Sequence, residues 1–106
     1  MVWSKTNPSP LCNGKHVSDL EFIVFVRGKG VVFNKEVDFH AKKKLFTSPI
    51  APNKTRFHPT QKPMSLMEQY VKLHTTENQI VFDPFMGSGT TGVACKNLNR
   101  NFIGME

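Results

Sequence analysis

The chain of 106 residues lacks any apolar run approaching the ~18 residues that a membrane-crossing helix needs. Its first residues, Met1-Val2-Trp3-Ser4-Lys5-Thr6-Asn7-Pro8, contain no apolar signal region. A cytoplasmic protein without a membrane partner is therefore expected. Cysteine is scarce: Cys12 lies in a Pro/Asn/Gly stretch and Cys95 in an expected helix. Neither has C-x-x-C or Cys/His spacing, which argues against a zinc site and leaves two reduced thiols as the reading. Apolar residues are 39% of the chain, under the usual share of about 45–50%. One modest core is possible, in a small domain or a piece of a larger one. Acidic residues are also few, 8 against 14 Lys and Arg, for a formal net charge of +6. Such a surface attracts polyanions, nucleic acid first among them, although lysine-rich faces also serve solubility alone.

What is present concentrates between residues 81 and 92, Val81-Phe82-Asp83-Pro84-Phe85-Met86-Gly87-Ser88-Gly89-Thr90-Thr91-Gly92. The pattern predicts a strand that ends in a carboxylate, a glycine loop and the start of a helix. Gly87, Gly89 and Gly92 match G-x-G-x-x-G, and Glu106 falls near the ~20-residue downstream distance of a ribose-binding acid. Gly87 and Gly89 would let backbone approach a ligand, and Gly92 would allow close packing of helix on sheet. No Gly-Lys-Ser/Thr follows, which excludes a Walker P-loop. Asp83 is the exception to a dinucleotide reading, because a fixed anion there would repel a pyrophosphate. It suits a nucleoside ligand that is cationic at that end, as S-adenosylmethionine is. Glu106 could accept hydrogen bonds from both ribose hydroxyls or be a solvated terminal residue.

Along the rest of the chain, residues 1–19 read as irregular because of Pro8, Pro10, Asn13 and Gly14. The run Glu21 to Val26 predicts a strand buried on both faces, with Val31-Val32-Phe33 pairing back after Gly28-Lys29-Gly30. Residues 34–57 are polar and basic, and are expected to form a loop that is either a mobile surface excursion or a DNA contact. Its candidate contacts are Lys42, Lys43, Lys44 and Arg56. Met64 to Thr75 predicts a helix after Pro63, with Leu66, Met67, Tyr70, Val71 and His74 as its apolar stripe. His74 near its end is expected to offset the helix dipole. Gln79–Asp83, Thr90–Leu98 and Asn101–Met105 predict a buried strand, a helix and a second strand joined by a parallel crossover.

A second unusual run, His58-Pro59-Thr60-Gln61-Lys62-Pro63, is on physical grounds a stiff connector with an exposed lysine. Taken with Asp83 to Gly92, however, it resembles the amino-methylating DNA methyltransferases of restriction–modification and phage systems. The order is similar to their beta class, with the cofactor half C-terminal to the catalytic half. Trp3 to Pro10 and Glu21 to Gly28 are also similar to segments between those halves. The resemblance implies an α/β fold: part of a Rossmann-like S-adenosylmethionine methyltransferase, with a short parallel sheet and flanking helices. It divides the chain into 1–33, a lead-in and strand from the end of the catalytic half; 34–57, the basic loop; and 58–106, the cofactor-binding strand-helix-strand unit.

The resemblance also implies roles. Asp83 would hold the methionine ammonium, Phe85 would line the pocket, and Gly87, Ser88, Gly89 and Thr90 would present the loop and helix start. Thr60, Lys62 and Pro63 would meet the carboxylate end, and Glu106 the ribose. The implied reaction moves a methyl group to the exocyclic amino group of adenine, or of cytosine, in a base flipped out of double-stranded DNA. The family's Asp-Pro-Pro-Tyr type tetrapeptide is absent, so no catalytic residue is assigned and the isolated chain is expected to be inactive. Its expected partners are DNA, a chain supplying the missing catalytic half, or a second copy of itself. The alternatives are a non-catalytic cofactor- or DNA-binding module and a structural remnant that self-associates. A nicotinamide site is disfavoured by Asp83.

Overall fold

A computed structural model describes residues 1–10, 12–31, 33–50, 52, 58 and 60–106. The strongest local signals produce the regular C-terminal half. Met64–His74 forms α1, Ile80–Asp83 forms β4, Thr90–Asn97 forms α2 and Asn101–Gly104 forms β5. Strands β4 and β5 pair in parallel, with Val81 opposite Phe102 and Phe82 opposite Ile103. The expected parallel crossover is thus present, within a residue or two of the predicted bounds. Helix α2 stops where Asn99 takes a positive φ of 58°. Arg100 N then donates to Cys95 O at 2.8 Å and Asn99 N to Lys96 O at 3.3 Å, a left-handed cap that ends the helix and starts β5.

The period of two in β4 and β5 sends Val81 and Phe102 toward the helices. There they pack with Val71, Ala94, Cys95, Met64, Met67 and Leu98. Leu66 and Leu73, one heptad apart on α1, are buried at 2% exposure each. Leu73 is absent from the predicted stripe, which favoured Tyr70 and His74 instead. Gly92 earns its place by contact: a Cβ there would sit 2.8 Å from the Phe102 ring. The other sheet face departs from expectation. Ile80, Phe82 and Ile103 are 64%, 55% and 52% exposed, so β4 is buried on one face only.

The N-terminal half differs more. Val2–Lys5 is β1, the central strand of a three-stranded sheet ordered β2-β1-β3, where the sequence predicted irregular chain. Its antiparallel neighbour β2 covers Leu20–Phe22, shorter than predicted, and Phe22, Val24 and Val26 are 79%, 87% and 84% exposed rather than buried. Its parallel neighbour β3, Leu45–Ser48, lies inside the stretch predicted to be a loop, which also holds a 3-10 turn at Phe39–Lys42. Val31 and Phe33 are outside any strand, and Val32 is outside the described residues.

Asn34 ties the halves together. Its backbone N donates to Leu73 O at 2.9 Å and its side chain to Lys72 O and Thr75 O. Arg100 donates to Thr75 O at 2.9 Å. The electronegative end of α1 is therefore met by Asn34 and Arg100. His74 does something else: it stacks on Phe25 at 4.6 Å, and burial lowers its pKa, which disfavours the cation that a dipole partner needs. That corrects the dipole role predicted for it.

Candidate functional site

The site forms where β4 ends. Asp83 closes the strand, and the chain then turns through Gly87 (φ 48°) and Gly89 (φ 71°), left-handed conformations that side chains with a Cβ rarely adopt. Met86 N bonds Met105 O and Met105 N bonds Asp83 O, both at 2.9 Å, which fixes the loop against the end of β5. Gly89 N donates to Met86 O at 2.8 Å and caps the start of α2. The first amides of α2 have no helical acceptor and so remain available to a ligand.

Asp83 is locally fixed. Its Oδ1 accepts from Phe85 N at 3.0 Å and its Oδ2 from Thr91 Oγ1 at 2.7 Å. Each oxygen can accept a second bond, so the carboxylate is oriented and still able to bind a cation. Above it lies a cavity of about 260 Å³, lined by Thr60, Lys62, Asp83, Phe85, Gly87 and Ser88, with further walls from α1 and α2. Phe85 is 88% exposed, an aromatic surface at the mouth. On the far wall His58 Nδ1 accepts from Thr60 N at 3.3 Å and lies 2.9 Å from Thr60 Oγ1, a local turn that orients the hydroxyl.

Of the ten residues expected to hold a cofactor, the cavity brings together Thr60, Lys62, Asp83, Phe85, Gly87, Ser88 and Thr90. Pro63 instead caps the start of α1, Gly89 turns the loop behind the lining, and Glu106 is exposed beyond the end of β5. His58, Met67, Met86 and Thr91 also line the cavity and carried no predicted role. Thr91 was discoverable: it stands eight positions after Asp83 in the same motif, within reach of a carboxylate at the mouth of its own helix. Met67 was read as core because its stripe position is apolar. Lys42, Lys43 and Lys44 are exposed together at the approach to β3, and Arg56 is outside the described residues.

A family model described as DNA methylase matches residues 1–106. The chain belongs to the DNA methylase family. Among curated relatives, the type II methyltransferase M2.LlaDCHI of Lactococcus lactis subsp. cremoris is 34% identical over 119 aligned residues, covering 100% of this chain and 44% of that protein. The type II methyltransferase M.HindIII of Haemophilus influenzae is 58% identical over 50 residues. Among solved structures, the complex of M1.HpyAVI with SAM matches with a TM-score of 0.73 and 48% identity, over 100% of this chain and 53% of that one. The chain spans about half the length of these full-length matches. Against the family, the joined features are the glycine loop under Asp83 and the His58–Pro63 run over it. Thr60 and Lys62 of the second run line one cavity with Asp83, Gly87 and Ser88 of the first, beside the packing of α1 against α2.

Proposed function

We propose that this DNA methylase chain binds S-adenosylmethionine over the glycine loop and forms the cofactor portion of a site-specific DNA amino-methyltransferase. The observation that carries the reading is the charge arrangement: Asp83 and Lys62 line the same small cavity. An amino-acid zwitterion presents the complementary pair, with its ammonium toward Asp83 and its carboxylate toward Lys62 and Thr60. Bare backbone at Gly87 and Gly89 leaves room for the ligand, and the α2 amides add hydrogen-bond donors without adding a cation. Phe85 offers a surface for the nucleoside, and Glu106, next to the Met105 that is bonded to the loop, is the proposed ribose acceptor. When bound, the cofactor supplies an activated methyl group.

The chain's own residues bind and orient that donor, and Lys42, Lys43 and Lys44, with Arg56, contribute phosphate contacts to double-stranded DNA. The target is the exocyclic amino group of adenine, with cytosine as the alternative; adenine is preferred only as the more frequent target in such a family. Orientation of a flipped base requires residues from another chain segment, so the proposed active species is this chain with a partner supplying the catalytic half, in the cytoplasm. A second reading, a self-associating remnant, draws support from the exposed Ile80, Phe82 and Ile103 face.

Isothermal calorimetry of the chain with S-adenosylmethionine tests the reading. Saturable binding that Asp83→Ala abolishes is the expected result. Absence of heat in wild type and variant alike would leave the remnant. Methyl transfer to duplex DNA by the purified chain would defeat the claim that it is inactive alone.

A further inference from the structure

Glu21 is the member of this site that neither motif contains. It lies in β2, opposite Trp3 of β1, and its carboxylate joins the two halves of the molecule. Lys5 Nζ is 3.0 Å from Oε1, and Lys62 Nζ bonds Oε2. Beneath both ammoniums lies the Trp3 ring, with Lys5 at 5.4 Å and Lys62 at 5.7 Å from its centroid. Trp3 is a rigid floor: it is 2% exposed and its Nε1 donates to Ser48 Oγ at 2.9 Å. Lys62 therefore faces two ways. One side belongs to the small hollow that it shares with Trp3, Lys5, Glu21 and Ile50, and the other to the cavity over the glycine loop.

A lysine–glutamate pair at this exposure, 43% and 34%, is worth little to stability by itself. Its position is the informative part. The contact spans 41 residues and holds the only lysine that lines the glycine-loop cavity, among the described residues. Lysine has a flexible four-carbon stem and a compact charge, so it must be tethered if it is to stand at one point. Two cations around one carboxylate leave a net charge of one positive unit on the cluster. A second carboxylate on the cavity side would complete an alternating row, Lys5, Glu21, Lys62, ligand.

We propose that Glu21 is a positioning residue: through Oε2 it holds the Lys62 ammonium at the rim of the cavity to receive the carboxylate of an α-amino-acid-bearing nucleoside. Trp3 and Lys5 hold Glu21 in turn. This inference rests on the S-adenosylmethionine reading of the cavity and adds to it a residue from β2.

The discriminating ligand pair is S-adenosylmethionine and its decarboxylated form, which keeps the sulfonium and the ammonium. Calorimetry on the full chain should show Glu21→Gln binding S-adenosylmethionine roughly five- to tenfold more weakly than wild type. Its affinity for the decarboxylated ligand should be unchanged within about twofold, the experimental scatter of additive effects. Glu21→Asp should recover part of the loss, and adding Glu21→Gln to Lys62→Met should cause no further loss. Equal weakening for both ligands would mean a merely structural role, and tighter binding would mean that Glu21 competes for Lys62; either overturns the proposal. Wild-type chain that binds neither ligand would remove the cofactor reading itself, whereas wild-type binding with an indifferent Glu21→Gln would remove only this inference.

Discussion

Thr91 Oγ1 donates to Asp83 Oδ2 at 2.7 Å, across the glycine loop that separates strand from helix. The bond joins the first turn of α2 to the end of β4, so the carboxylate is aimed before any ligand arrives. Hydrogen bonds to charged groups contribute about 1.5–3 kcal/mol when buried, and less here because Asp83 is half-buried. Thr91→Val should therefore weaken S-adenosylmethionine binding by roughly three- to tenfold, while Asp83→Asn, which removes the charge, should weaken it more. Titration calorimetry of both variants provides the check; wild-type affinity in Asp83→Asn would show that the carboxylate does not meet the ligand's cation.

Gly92 lies in the interior of α2, where alanine would ordinarily favour the helix by about 0.8–1 kcal/mol. Here packing should reverse that sign. A Cβ would stand 2.8 and 2.9 Å from two atoms of the Phe102 ring, and the ring cannot retreat freely because it also presses on Gly104. Overpacking typically costs about 1–3 kcal/mol, so Gly92→Ala should lower the melting temperature, and Phe102→Leu introduced beside it should restore part of the loss. A rise in melting temperature for the single variant would refute the packing account.

The same contrast explains what could be read from the sequence. From Met64 onward, each element carries its own local signal: Pro63 at the helix start, the Leu66 and Val71 face, glycines at φ 48° and 71°, and Asn99 in the left-handed region. Those signals act over a few residues, so the parallel pair β4 and β5 and the loop under Asp83 followed from them. Strand β1 had no such signal. Its partners Glu21 and Phe46 lie far along the chain, and pairing at that distance leaves no local pattern in Val2–Lys5. Strand β3 was hidden in the same way by its basic surroundings. The buried-strand readings of Glu21–Val26 and of β4 failed for another reason. Apolar runs report a preference for burial, and Phe22, Val24, Ile80 and Phe82 have no covering layer among the described residues. Glu21 opens the run Glu21 to Gly28 with no role legible in its local pattern, since its relation to Lys62 exists only once β2 and Lys62 meet in the fold.

Acid should destabilise the fold in two successive ranges. His74 is held below its ordinary pKa by burial, stacked on Phe25 and Tyr70 and tilted against Phe33. Below the ordinary histidine range the unfolded chain takes up a proton that the folded chain resists, so stability begins to fall there. Glu21 loses part of its solvation on burial, which raises its pKa, but the hydrogen bonds and charges of Lys62 and Lys5 outweigh this and lower it overall. Its contribution is full above the ordinary glutamate range and is lost as pH falls through the lowered folded-state value. His74→Phe should flatten the first decline and Glu21→Gln the second, as followed by thermal melts across pH; a first decline unaltered in His74→Phe would clear histidine of the effect.

The two thiols should differ sharply in reactivity. Cys95 has no exposed surface, packed against Val71 and Ala94. Burial raises its pKa, Arg100 offsets part of the rise, and the charge of Asp83 adds to it. Cys12 is partly exposed and free. Under native conditions a small alkylating reagent should modify one site per chain rapidly, at Cys12, and reach Cys95 only with global unfolding. Mass mapping over a denaturant series measures this, and early labelling of Cys95 would mean that α2 opens independently of the rest.

Lys42, at the end of the 3-10 turn, and Lys43 and Lys44, which lead from it into β3, are exposed side by side, with no ion pair among the described residues. Three adjacent ammoniums can serve solubility alone or bind phosphates, and salt separates the two. Each phosphate neutralised adds about 0.9 to the steepness with which log affinity falls against log salt on duplex DNA. Replacing all three by alanine should therefore reduce that slope by about 2.7 if every one of them contacts a phosphate, with weaker retention on every duplex sequence tried. Fluorescence anisotropy from low to moderate salt gives the slope. A parallel displacement of the line without a change in steepness would assign the cluster to general surface charge, and an unchanged line would take these lysines out of the DNA interface altogether.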